Sequence, residues 1–318
     1  MSVLVTGASG FMGKHLIRHW LDQDVQVVAW SRGQCPEELS NRKALTWHAI
    51  DPGDPGEVPA RMADAAPTHI VHLAAQSLPG VSWEKPSETY AANIQGTVRL
   101  IEAMRDHAPQ ARLLLVSSSS IYASSRDGEP IREDAPTGAT SPYSISKLAA
   151  EQAGRLLCDR HGLACLVVRP FFVIGPEKTG DVCSDFARRV VAAEKTGQGV
   201  IRVGNLDAVR DYLDISDAVR GMDLLLRRGT PGDVFNLCSG QGVVIRTILD
   251  HYASMASVPL TVQVDPALVR PIDDPVKVGD PSKLIAFGWR PEVDLATSLR
   301  TILSDWRAHI QRSESGCR

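Results

Sequence analysis

Residues 7–13, Gly7-Ala8-Ser9-Gly10-Phe11-Met12-Gly13, decide the fold of this 318-residue chain. They follow a short apolar run, Val3-Leu4-Val5, and open a segment with helical periodicity over Gly10–Leu21. A glycine-rich turn between a strand and a helix lets the backbone approach a pyrophosphate, whose charge is stabilised by the free N–H groups of the helix. The spacing is looser than GxGxxG, so the turn by itself could also be purely structural.

Short β-branched runs alternate with helix-period segments through the first 240 residues. This alternation predicts βαβ units and a parallel sheet, which right-handed crossovers wind into a doubly wound, Rossmann-type α/β fold. The predicted strands are 2–6, 25–30, 45–50, 69–74, 112–118, 164–169 and 234–238. The predicted helices are 10–21, 90–107, 142–161, about 185–195 and 295–311, with 209–226 as a helix that returns to the sheet.

The pattern loosens after Pro170, which divides the chain into two interleaved parts. We expect residues 1–170, together with about 206–240, to form the dinucleotide-binding domain. Residues 171–205 and 241–318 would form a smaller C-terminal α/β lobe that binds the substrate. This lobe would lie over the carboxyl ends of the strands, where α/β sheets bind ligands.

Composition argues against several functional classes. The net charge of -3, with both signs interspersed, does not predict a nucleic-acid or anionic-membrane surface. No apolar run reaches the roughly eighteen residues needed to span a bilayer, and Val3 belongs to a strand rather than to a signal peptide. The six cysteines are scattered, without a CxxC pair or metal-ligand spacing. We therefore expect a cytoplasmic protein with free thiols, no metal, no nucleic-acid partner and no membrane contact.

Three further segments favour a dinucleotide beside the glycine turn. The sequence His72-Leu73-Ala74-Ala75 ends a buried strand in small residues, which leaves room for an adenosine and its phosphates. Asp51 follows the third strand, where a side chain could meet the adenine edge. The second strand ends in Ser31-Arg32 rather than in the carboxylate that would hold a ribose 2′-hydroxyl. A hydroxyl and a guanidinium suit a 2′-phosphate, so NADPH is favoured over NADH, although Arg32 could be an ordinary surface arginine.

Tyr143 and Lys147 form the predicted catalytic pair. They are four residues apart, so they share one face of a helix. A nearby ammonium favours the phenolate and lowers the pKa of a tyrosine toward neutral pH. The pair could then exchange a proton with a sugar oxygen while hydride moves at the attached carbon. Ser118, at a strand end, could donate a hydrogen bond to the same oxygen, and Asn93 could position Lys147 through a water.

These motifs resemble those of the extended short-chain dehydrogenases/reductases along essentially the whole chain. The similar stretches are TGASGFMGKHL (6–16), HLAAQS (72–77), VSSSSIY (116–122), SPYSISK (141–147) and RPFFVIGP (169–176). The C-terminal half is similar to GDP-6-deoxy-4-ketomannose reductases and, more distantly, to GDP-mannose 4,6-dehydratases. The stretches that carry this are VGNLDAVRDYLDISDAV (203–219), GDVFNLCSG (232–240), RPIDDPVKVGDPSKL (270–284) and FGWRPE (287–292).

The resemblance assigns roles to individual residues. It implies catalysis by Ser118, Tyr143 and Lys147, with Asn93 in support. The implied cofactor-binding residues are Gly7, Ser9, Gly10, Phe11, Met12, Gly13, Ser31, Arg32, Asp51, Leu73, Ala74, Ala75, Tyr143, Lys147, Pro170 and Val173. The implied substrate-binding residues are Ser118, Ser119, Tyr143, Phe172, Asp185, Phe186, Val203, Arg210, Arg270 and Asp273.

Within that set, two arginines and an aspartate would hold the nucleotide. Arg210 and Arg270 would bind the diphosphate, because a guanidinium grips phosphate in a bidentate fork, and Asp273 would meet the ribose or the sugar. The alternative for either arginine is an ion pair with a local aspartate, for which the candidates are Asp211, Asp214 and Asp273.

The residues after Ser118 indicate the reaction. A 4,6-dehydratase needs an acid or base directly after the catalytic hydroxyl, whereas this chain has Ser119 and Ser120. We therefore predict NADPH-dependent reduction of the C4 ketone of a GDP-4-keto-6-deoxyhexose, giving GDP-rhamnose or its C4 epimer. Two departures from the resembled reductases leave open a different 4-keto sugar. Those reductases tend to have acidic residues where this chain has Ser119-Ser120, and an asparagine where it has Phe172.

Other readings of the function remain open. Within the superfamily these are a 4-epimerase, a 4,6-dehydratase and a reductase of another nucleotide sugar, and NADH is the alternative hydride donor. A non-catalytic nucleotide sensor is disfavoured by the intact Tyr143/Lys147 pair. In the resembled family the helices that carry Asn93 and Tyr143 form a four-helix dimer interface. Ala149, Ala150 and Ala153 would permit close packing there, so we expect a homodimer.

Overall fold

The computed structural model describes residues 1–51, 53–124, 128–268 and 274–315. Its strands are β1 (Ser2–Thr6), β2 (Gln26–Ser31), β3 (Leu45–Ala49), β4 (His69–His72), β5 (Arg112–Val116), β6 (Ala164–Pro170), β7 (Phe172–Ile174), β8 (Val200–Val203), β9 (Val209–Asp214), β10 (Val234–Leu237), β11 (Gly242–Val244), β12 (Thr261–Val264) and β13 (Val276–Lys277). Its α-helices are α1 (Phe11–Leu21), α2 (Glu37–Ser40), α3 (Glu57–Ala65), α4 (Pro79–Glu84), α5 (Pro86–Tyr90), α6 (Gly96–His107), α7 (Pro142–His161), α8 (Val182–Thr196), α9 (Ile215–Arg228), α10 (Ile245–Met255), α11 (Ser282–Ala286) and α12 (Leu295–Ser315). A π-helix spans Ala91–Gln95, and 3₁₀ turns span Ser119–Ile121 and Pro266–Leu268.

A seven-stranded parallel sheet forms the main body, in the order β10-β6-β5-β4-β1-β2-β3. The chain winds outward from β1 in both directions, so the predicted doubly wound fold is confirmed. In the register, Thr6 lies beside Trp30 on one side and His72 on the other. The carboxyl ends of β1, β2 and β4 therefore meet at the switch point, where such sheets bind ligands.

Helices cover both faces of this sheet because each buries one apolar stripe. On one face, α1 buries Leu16, Ile17 and Trp20, and α9 packs beside it in the same core. On the other, α6 buries Leu100 and Met104 among residues from α3 and the sheet. Both faces of a parallel sheet must be covered, and this is why its strands read as almost continuous apolar runs.

A smaller lobe contains a four-stranded sheet and three larger helices. The central strand β9 pairs with β11, β13 and β7, and β12 pairs with β8 in a separate two-stranded sheet. Helices α8, α10 and α12 enclose this lobe's apolar core. None of the helices in the described ranges has the length and apolarity to cross a membrane. Within the same ranges, no three or more His, Cys, Asp or Glu side chains are grouped as metal ligands would be.

Two predicted helices differ from the structure. The segment 209–226 is not one helix, because its first six residues form β9, and α9 begins only at Ile215. Pairing with three strands overrides the helical period of this stretch, since tertiary contacts outweigh local pattern. The predicted helix 90–107 is interrupted by the π-helix Ala91–Gln95, which carries Asn93. Such π-turns are rare and concentrate at functional sites.

Candidate active site

The start of α7 fixes the position of Tyr143. Ser141 caps the helix by accepting from the Ser144 N–H at 3.1 Å, and the Ser144 hydroxyl accepts from the Ser141 N–H at 2.9 Å. Pro142 occupies the first helical position, where no N–H is needed. The Tyr143 N–H donates to the Ser82 hydroxyl of α4 at 3.1 Å. Tyr143 is therefore the second residue of a helix whose start is defined by sequence.

The structure brings Tyr143 and Ser118 together, as predicted from their positions after β5 and at the start of α7. The Ser118 hydroxyl lies close enough to the Tyr143 phenol to act on its pKa. Burial raises the pKa of Tyr143, and Ser118 opposes that rise, so the direction is opposite to the lowering that we expected from Lys147. Ser118 also accepts from the Ser120 N–H at 3.2 Å, which caps the 3₁₀ turn and fixes its side chain. The phenol and the serine hydroxyl can thus bind one substrate oxygen together.

Lys147 lies one helical turn beyond Tyr143 and is buried. Its ammonium donates to the Val116 carbonyl at 2.6 Å, and among the described residues the other two N–H groups have no acceptor. Burial lowers the pKa of Lys147 to about 8, and the Glu151 carboxylate acts in the opposite direction. Two donors of a buried ammonium are therefore free to bind a ligand beside the phenol.

A chain of hydrogen bonds runs beneath this pair from β1 to the π-helix. The Ala74 N–H donates to the Thr6 hydroxyl at 3.2 Å, and that hydroxyl lies 2.7 Å from His72 Nδ1. His72 Nε2 lies 2.9 Å from the Thr97 hydroxyl, which donates to the Asn93 carbonyl at 2.7 Å. The Thr97 hydroxyl donates its own proton to the Asn93 carbonyl, so it can only accept from His72. The neutral ring must therefore carry its proton on Nε2. Burial lowers the pKa of His72 to about 3, so the ring is neutral at physiological pH.

Asn93 joins this chain to the catalytic helix. Its amide donates to the Gln76 carbonyl at 3.1 Å and to the Ser146 hydroxyl at 2.8 Å, and it accepts from the Gln76 N–H at 2.7 Å. Ser146 in turn donates to the Tyr143 carbonyl at 2.6 Å. Both amide N–H groups are thus used to hold the end of β4 against α7. The water-mediated link from Asn93 to Lys147 remains a prediction.

The glycine turn is packed too closely for any side chain. Gly7 has φ +72°, and a Cβ there would lie 2.7 Å from the Ala74 nitrogen. At Gly13 a Cβ would lie 2.4 Å from the Gly7 carbonyl oxygen. No side chain caps the N-terminus of α1, which begins at Phe11 after Gly10. These uncapped N–H groups beside a bare backbone fit a dinucleotide pyrophosphate.

The ends of β2 and β3 provide the polar side chains next to this turn. The Ser9 and Ser31 hydroxyls are 2.5 Å apart and tie the turn to β2. Arg32 is exposed, and its guanidinium has no ion-pair partner among the residues that the structure describes. Asp51 is also exposed, and it accepts from the Gly53 N–H at 2.8 Å. A free guanidinium beside two hydroxyls fits a 2′-phosphate.

The remaining predicted cofactor residues lie at strand ends, on α1 and in β7. Leu73, Ala74 and Ala75 follow β4, and Pro170 ends β6. The Lys178 ammonium lies 5.5 Å from the centre of the Phe11 ring and donates to the carbonyl of the buried Val173. Met12 is the second residue of α1.

Arg210, a predicted substrate residue, lies in β9 and is buried. Its guanidinium carbon is 5.6 Å from the centre of the Phe172 ring, and Nη1 donates to the Val209 carbonyl at 2.8 Å. Asp211 accepts four hydrogen bonds at 2.6–3.2 Å, from the Ser239 N–H and hydroxyl, the Gly240 N–H and the Gly279 N–H.

Asp214, another aspartate considered as a partner of Arg210, forms its hydrogen bonds with other residues. Asp214 caps α9 through the Ser216 N–H at 2.8 Å and accepts from the Ser298 hydroxyl at 2.6 Å. The two neighbouring aspartates are thus bound to N–H and O–H donors. Arg270 and Asp273, the other predicted nucleotide contacts, lie outside the described residues.

Four predicted substrate residues lie in the protein framework. Asp185 forms ion pairs with Arg188 and Arg189 at 2.8 and 2.6 Å. Phe186 and Val203 are buried in the core of the small lobe, and Ser119 is buried in the 3₁₀ turn. The Asp185 carboxylate is thus paired with arginines, and the other three side chains are buried.

Sequence reasoning missed two buried ionic clusters next to the site. Arg169 of β6 pairs with Glu151 of α7, and the only sequence signal was the four-residue spacing from Lys147 to Glu151. Lys277 of β13 is buried in register with Arg210 and donates to the Tyr122 carbonyl at 3.0 Å. A lone lysine between two valines was the available signal there.

Comparison with known proteins gives matches over nearly the whole chain. The family model for the NAD dependent epimerase/dehydratase family matches residues 3–238. GDP-6-deoxy-D-mannose reductase from Pseudomonas aeruginosa is 32% identical over 317 residues, which cover 97% of this chain and 98% of that protein.

Two solved structures are similar along their full length. The structure of RMD from Pseudomonas aeruginosa, complexed with NADPH, superposes with a TM-score of 0.82 at 31% identity and covers 97% of this chain and 99% of that one. UDP-glucose 4-epimerase from Thermus thermophilus, complexed with NAD, superposes with a TM-score of 0.87 at 29% identity, covering 96% and 99%.

Proposed function

Since the chain belongs to the NAD dependent epimerase/dehydratase family, we propose that it reduces the C4 ketone of a GDP-4-keto-6-deoxyhexose with NADPH as hydride donor. It is an NAD(P)-dependent oxidoreductase of the extended short-chain dehydrogenase/reductase type. The observation that carries the substrate is the full-length similarity to GDP-6-deoxy-D-mannose reductase. The product would be GDP-rhamnose or its C4 epimer.

The serines after β5 favour reduction over dehydration. A dehydratase must remove a proton at C5 and expel the C6 hydroxyl, which requires a second acid or base. Ser118, Ser119 and Ser120 provide none at neutral pH. The nearby carboxylates of Glu133 and Glu151 are bound to the Asn236 N–H and to Arg169, so they are occupied in the framework.

The cofactor would supply the hydride, and the residues around the glycine turn would hold it. In this proposal residues 1–170 with about 206–240 form the cofactor domain, except that β9 (Val209–Asp214) pairs in the sheet of the smaller lobe. Residues 171–205 and 241–318 form the substrate lobe. The uncapped start of α1 would bind the pyrophosphate, and Ser31 with Arg32 would bind the 2′-phosphate that distinguishes NADPH.

Proton transfer is the task of the residues at the start of α7. Tyr143 would donate its phenolic proton to the C4 oxygen as hydride reaches C4, and Ser118 would hydrogen-bond the same oxygen. The Lys147 ammonium would stabilise the phenolate that remains. Because His72 stays neutral, it adds no positive charge that would repel this ammonium.

The substrate would extend from this oxygen toward β9. Arg210, and with it Arg270 and Asp273, would hold the nucleotide part, and the Phe172 ring would form the wall of the sugar pocket. An aromatic ring at this position would select which face of the ketone receives hydride. Product analysis by NMR would then distinguish the rhamno from the talo product.

The test is to follow NADPH oxidation with GDP-4-keto-6-deoxymannose, and with dTDP- and UDP-linked 4-keto-6-deoxy sugars in parallel. We expect turnover with the GDP sugar and a loss of roughly 10²-fold or more in Tyr143→Phe, as for removal of an acid–base group. A folded protein that binds NADPH but oxidises none with the GDP sugar would refute this substrate. Turnover with a dTDP or UDP sugar instead would redirect the assignment to that nucleotide.

A 4-epimerase is the second candidate, because UDP-glucose 4-epimerase from Thermus thermophilus superposes with a TM-score of 0.87. An epimerase regenerates its dinucleotide in each turnover, whereas a reductase consumes it. Purified protein that retains bound NAD and interconverts UDP-glucose and UDP-galactose without net NADPH oxidation would favour the epimerase.

The proposed reductase would form a homodimer through the helices that carry Asn93 and Tyr143. Ile145 and Leu156 of α7 are 46% and 70% exposed, and Ala149 lies between them on the same face. An apolar stripe flanked by small residues suits close helix packing with a second copy. We expect a dimeric mass by light scattering, and a shift to monomer in Leu156→Asp. A monomeric wild type at micromolar concentration would contradict this.

The cytoplasm is the proposed compartment. The described cysteines are free thiols, and Cys158 and Cys165 lie near each other without being linked. Neighbouring thiols persist in a reducing compartment. Cell fractionation should find the protein with cytoplasmic markers, and recovery with periplasmic or secreted markers would refute the assignment.

A further inference from the structure

Lys277 of β13 is a buried lysine between two apolar neighbours. Val276 and Val278 flank it in sequence, and Lys277 itself is only 4% exposed. Burial of an ammonium costs free energy unless acceptors and a counter-charge surround it. A buried ion pair is moreover weak evidence for stability, because apolar residues of similar volume often pack equally well. The partners of this ammonium should therefore indicate what it does.

The Lys277 ammonium binds two acceptors from different parts of the molecule. It donates to the Asp274 carboxylate at 2.9 Å and to the Tyr122 carbonyl at 3.0 Å. The other carboxylate oxygen of Asp274 accepts from the Ser124 hydroxyl. Lys277 thus joins a strand of the small-lobe sheet to the main chain that follows the catalytic serine.

The 3₁₀ turn Ser119–Ile121 lies between that serine and the carbonyl that Lys277 holds. The Ser118 hydroxyl accepts from the Ser120 N–H at 3.2 Å, and the Tyr122 N–H donates back to the first residue of the turn at 3.2 Å. Because these bonds close the turn, a displacement of the Tyr122 carbonyl also displaces Ser118. Among the hydrogen bonds of the described residues, the one from Lys277 joins this turn to the four-stranded sheet.

The same face of that sheet carries the predicted substrate contacts. Lys277 is in register with Arg210 in the parallel pair of β13 and β9, so the two side chains leave the same face. Phe172 of β7 is in register with Tyr212, two residues along β9, and therefore belongs to this face as well. The Arg210 guanidinium lies 5.6 Å from the centre of the Phe172 ring. One face thus presents the predicted nucleotide contact and the ammonium that holds the catalytic turn.

We propose that Lys277 is a positioning residue: its hydrogen bond to the Tyr122 carbonyl sets where the Ser118 hydroxyl lies relative to Arg210. Asp274 is the counter-charge that keeps the ammonium in place. The effect on turnover rests on the proposed function. The contact between β13 and the turn is measurable without any substrate.

The position of Ser118 relative to Arg210 matters because the substrate would span the two. A sugar nucleotide held by Arg210 must present its C4 oxygen to Ser118 and Tyr143 at the other end. A misplacement of about 1 Å can cost up to roughly 10²-fold in rate. Lys277 forms no hydrogen bond with any described residue that would hold NADPH. Its loss should therefore affect the chemical step and leave cofactor binding intact.

The first experiment measures the kinetics of full-length Lys277→Met with GDP-4-keto-6-deoxymannose and NADPH. We expect kcat to fall by roughly 10- to 10²-fold, while KM for the sugar stays within about 3-fold and the Kd of NADPH is unchanged. Lys283→Met, at an exposed lysine that pairs with Asp233, is the matched control and should keep wild-type kcat. Wild-type kcat in a folded Lys277→Met would overturn the proposal.

A double-mutant cycle tests whether Lys277 acts through Ser118. If it does, Lys277→Met should cost no more than about 3-fold in kcat in a Ser118→Ala background, because the hydroxyl that it positions is already absent. Losses that multiply in the double variant would show that Lys277 acts by another route, and would overturn the proposal. A general weakening of the fold would not produce this non-additivity.

Hydrogen exchange of the protein without substrate separates this inference from the proposed function. In Lys277→Met the amides of residues 118–123 should exchange roughly 3- to 10-fold faster, as for loss of one hydrogen bond, and those of 112–116 in β5 should not change. Should Lys277→Met fail to fold, Lys277→Gln carries the same test, because its shorter side chain keeps a polar group beside Asp274.

The two readouts have distinct consequences. Faster exchange in the turn without turnover of any GDP sugar would refute the substrate and leave the contact made by Lys277 standing. Unchanged exchange in the folded variant would refute the role of Lys277, whatever the substrate.

Discussion

Lys147 beside the catalytic tyrosine and Asp211 in the small lobe are both buried charged groups, but they are held in opposite ways. Lys147 makes one hydrogen bond, to a carbonyl at 2.6 Å, and has two N–H groups without an acceptor among the described residues. Asp211 accepts four bonds from three neighbouring residues. Burial lowers the pKa of Lys147 to about 8 and raises that of Asp211.

The contrast distinguishes a buried charged group that takes part in the reaction from one that stabilises the fold. A buried polar atom must find its partners somewhere, so free donors in the interior indicate a missing ligand. A carboxylate with both oxygens filled by backbone N–H groups has no capacity left for a substrate, and it joins strands instead. Substitution should therefore affect activity at Lys147 and stability at Asp211.

The largest expected effect is on turnover in Lys147→Met. Loss of the ammonium should reduce kcat by roughly 10²-fold or more, because the phenolate loses its stabilising charge. NADPH oxidation with the GDP-ketosugar measures this. Lys283→Met, at an exposed lysine that pairs with Asp233 at the surface, is the matched control and should keep wild-type turnover.

The same variant should not be less stable at neutral pH. The folded state holds Lys147 with a pKa of about 8 against an ordinary value of 10.5, so between those values the unfolded chain binds the extra proton. Wild-type stability relative to Lys147→Met should therefore rise with pH across that window, by about 1.4 kcal/mol per unit. Urea unfolding at pH 7.5 and 9.5 measures the slope. A falling slope would contradict the lowered pKa.

Asp211→Asn should give the opposite pattern. The new amide N–H₂ would face N–H donors, which should cost about 2–4 kcal/mol of unfolding free energy, while kcat per folded molecule changes far less than in Lys147→Met. Because burial raises the folded pKa of Asp211, the wild-type advantage should be greatest at low pH and shrink as pH rises through that pKa. If Asp211→Asn were as stable as the wild type but lost most of its turnover, Asp211 would serve activity rather than stability, which would contradict the contrast with Lys147.

The sequence was informative where local chemistry decides the structure. The glycine turn, the Ser141-Pro142 start of α7 and the apolar strands of the large sheet were predicted correctly, because each is set by neighbouring residues. The membership in the extended short-chain dehydrogenase/reductase family, predicted from the same motifs, is confirmed. The contact between Ser118 and Tyr143 follows from parallel strand order, since both lie at the carboxyl edge.

The remainder depended on partners that are distant in sequence. β9 was predicted as a helix because its pairing with β7, β11 and β13 cannot be read from its own period. The Glu151–Arg169 pair joins residues 18 apart and forms only once α7 lies on β6. The roles predicted for Arg270 and Asp273 lie outside the described residues and stay predictions.

Glu177 tests whether a partly exposed carboxylate that accepts several hydrogen bonds also contributes to the stability of the fold. It has φ +65°, lies in the loop after β7, and accepts from Lys14 and Arg18 of α1. Glu177→Ala should cost about 1–2 kcal/mol, after allowance for solvent screening. Glu177→Gly should cost about 1 kcal/mol less, because glycine adopts the left-handed conformation without strain. Equal losses in the two variants would mean that the backbone is unstrained.

The pH dependence of Glu177 has the sign opposite to that of Asp211. Burial opposes ionisation, but hydrogen bonds from Arg18 and Lys14 prevail and lower the pKa to about 2, against an ordinary 4.5. Its contribution should be complete above pH 4.5 and lost as pH falls toward 2. Thermal unfolding at pH 3.5 and 6 should therefore show the gap between wild type and Glu177→Ala closing at the lower pH.

The smallest expected effect is at Tyr252, which completes the series with a buried hydroxyl that has no hydrogen-bond partner among the described residues. Phenylalanine keeps the packing of the small-lobe core and removes one unsatisfied polar atom. Tyr252→Phe should therefore be neutral or more stable by up to about 1 kcal/mol, with unchanged turnover. Denaturant midpoints at constant m-value measure this.

A loss of more than about 1 kcal/mol in Tyr252→Phe would show that the hydroxyl is solvated by a buried water. By the same physical argument, water would then satisfy the two N–H groups of Lys147 that have no acceptor among the described residues whenever no ligand is bound.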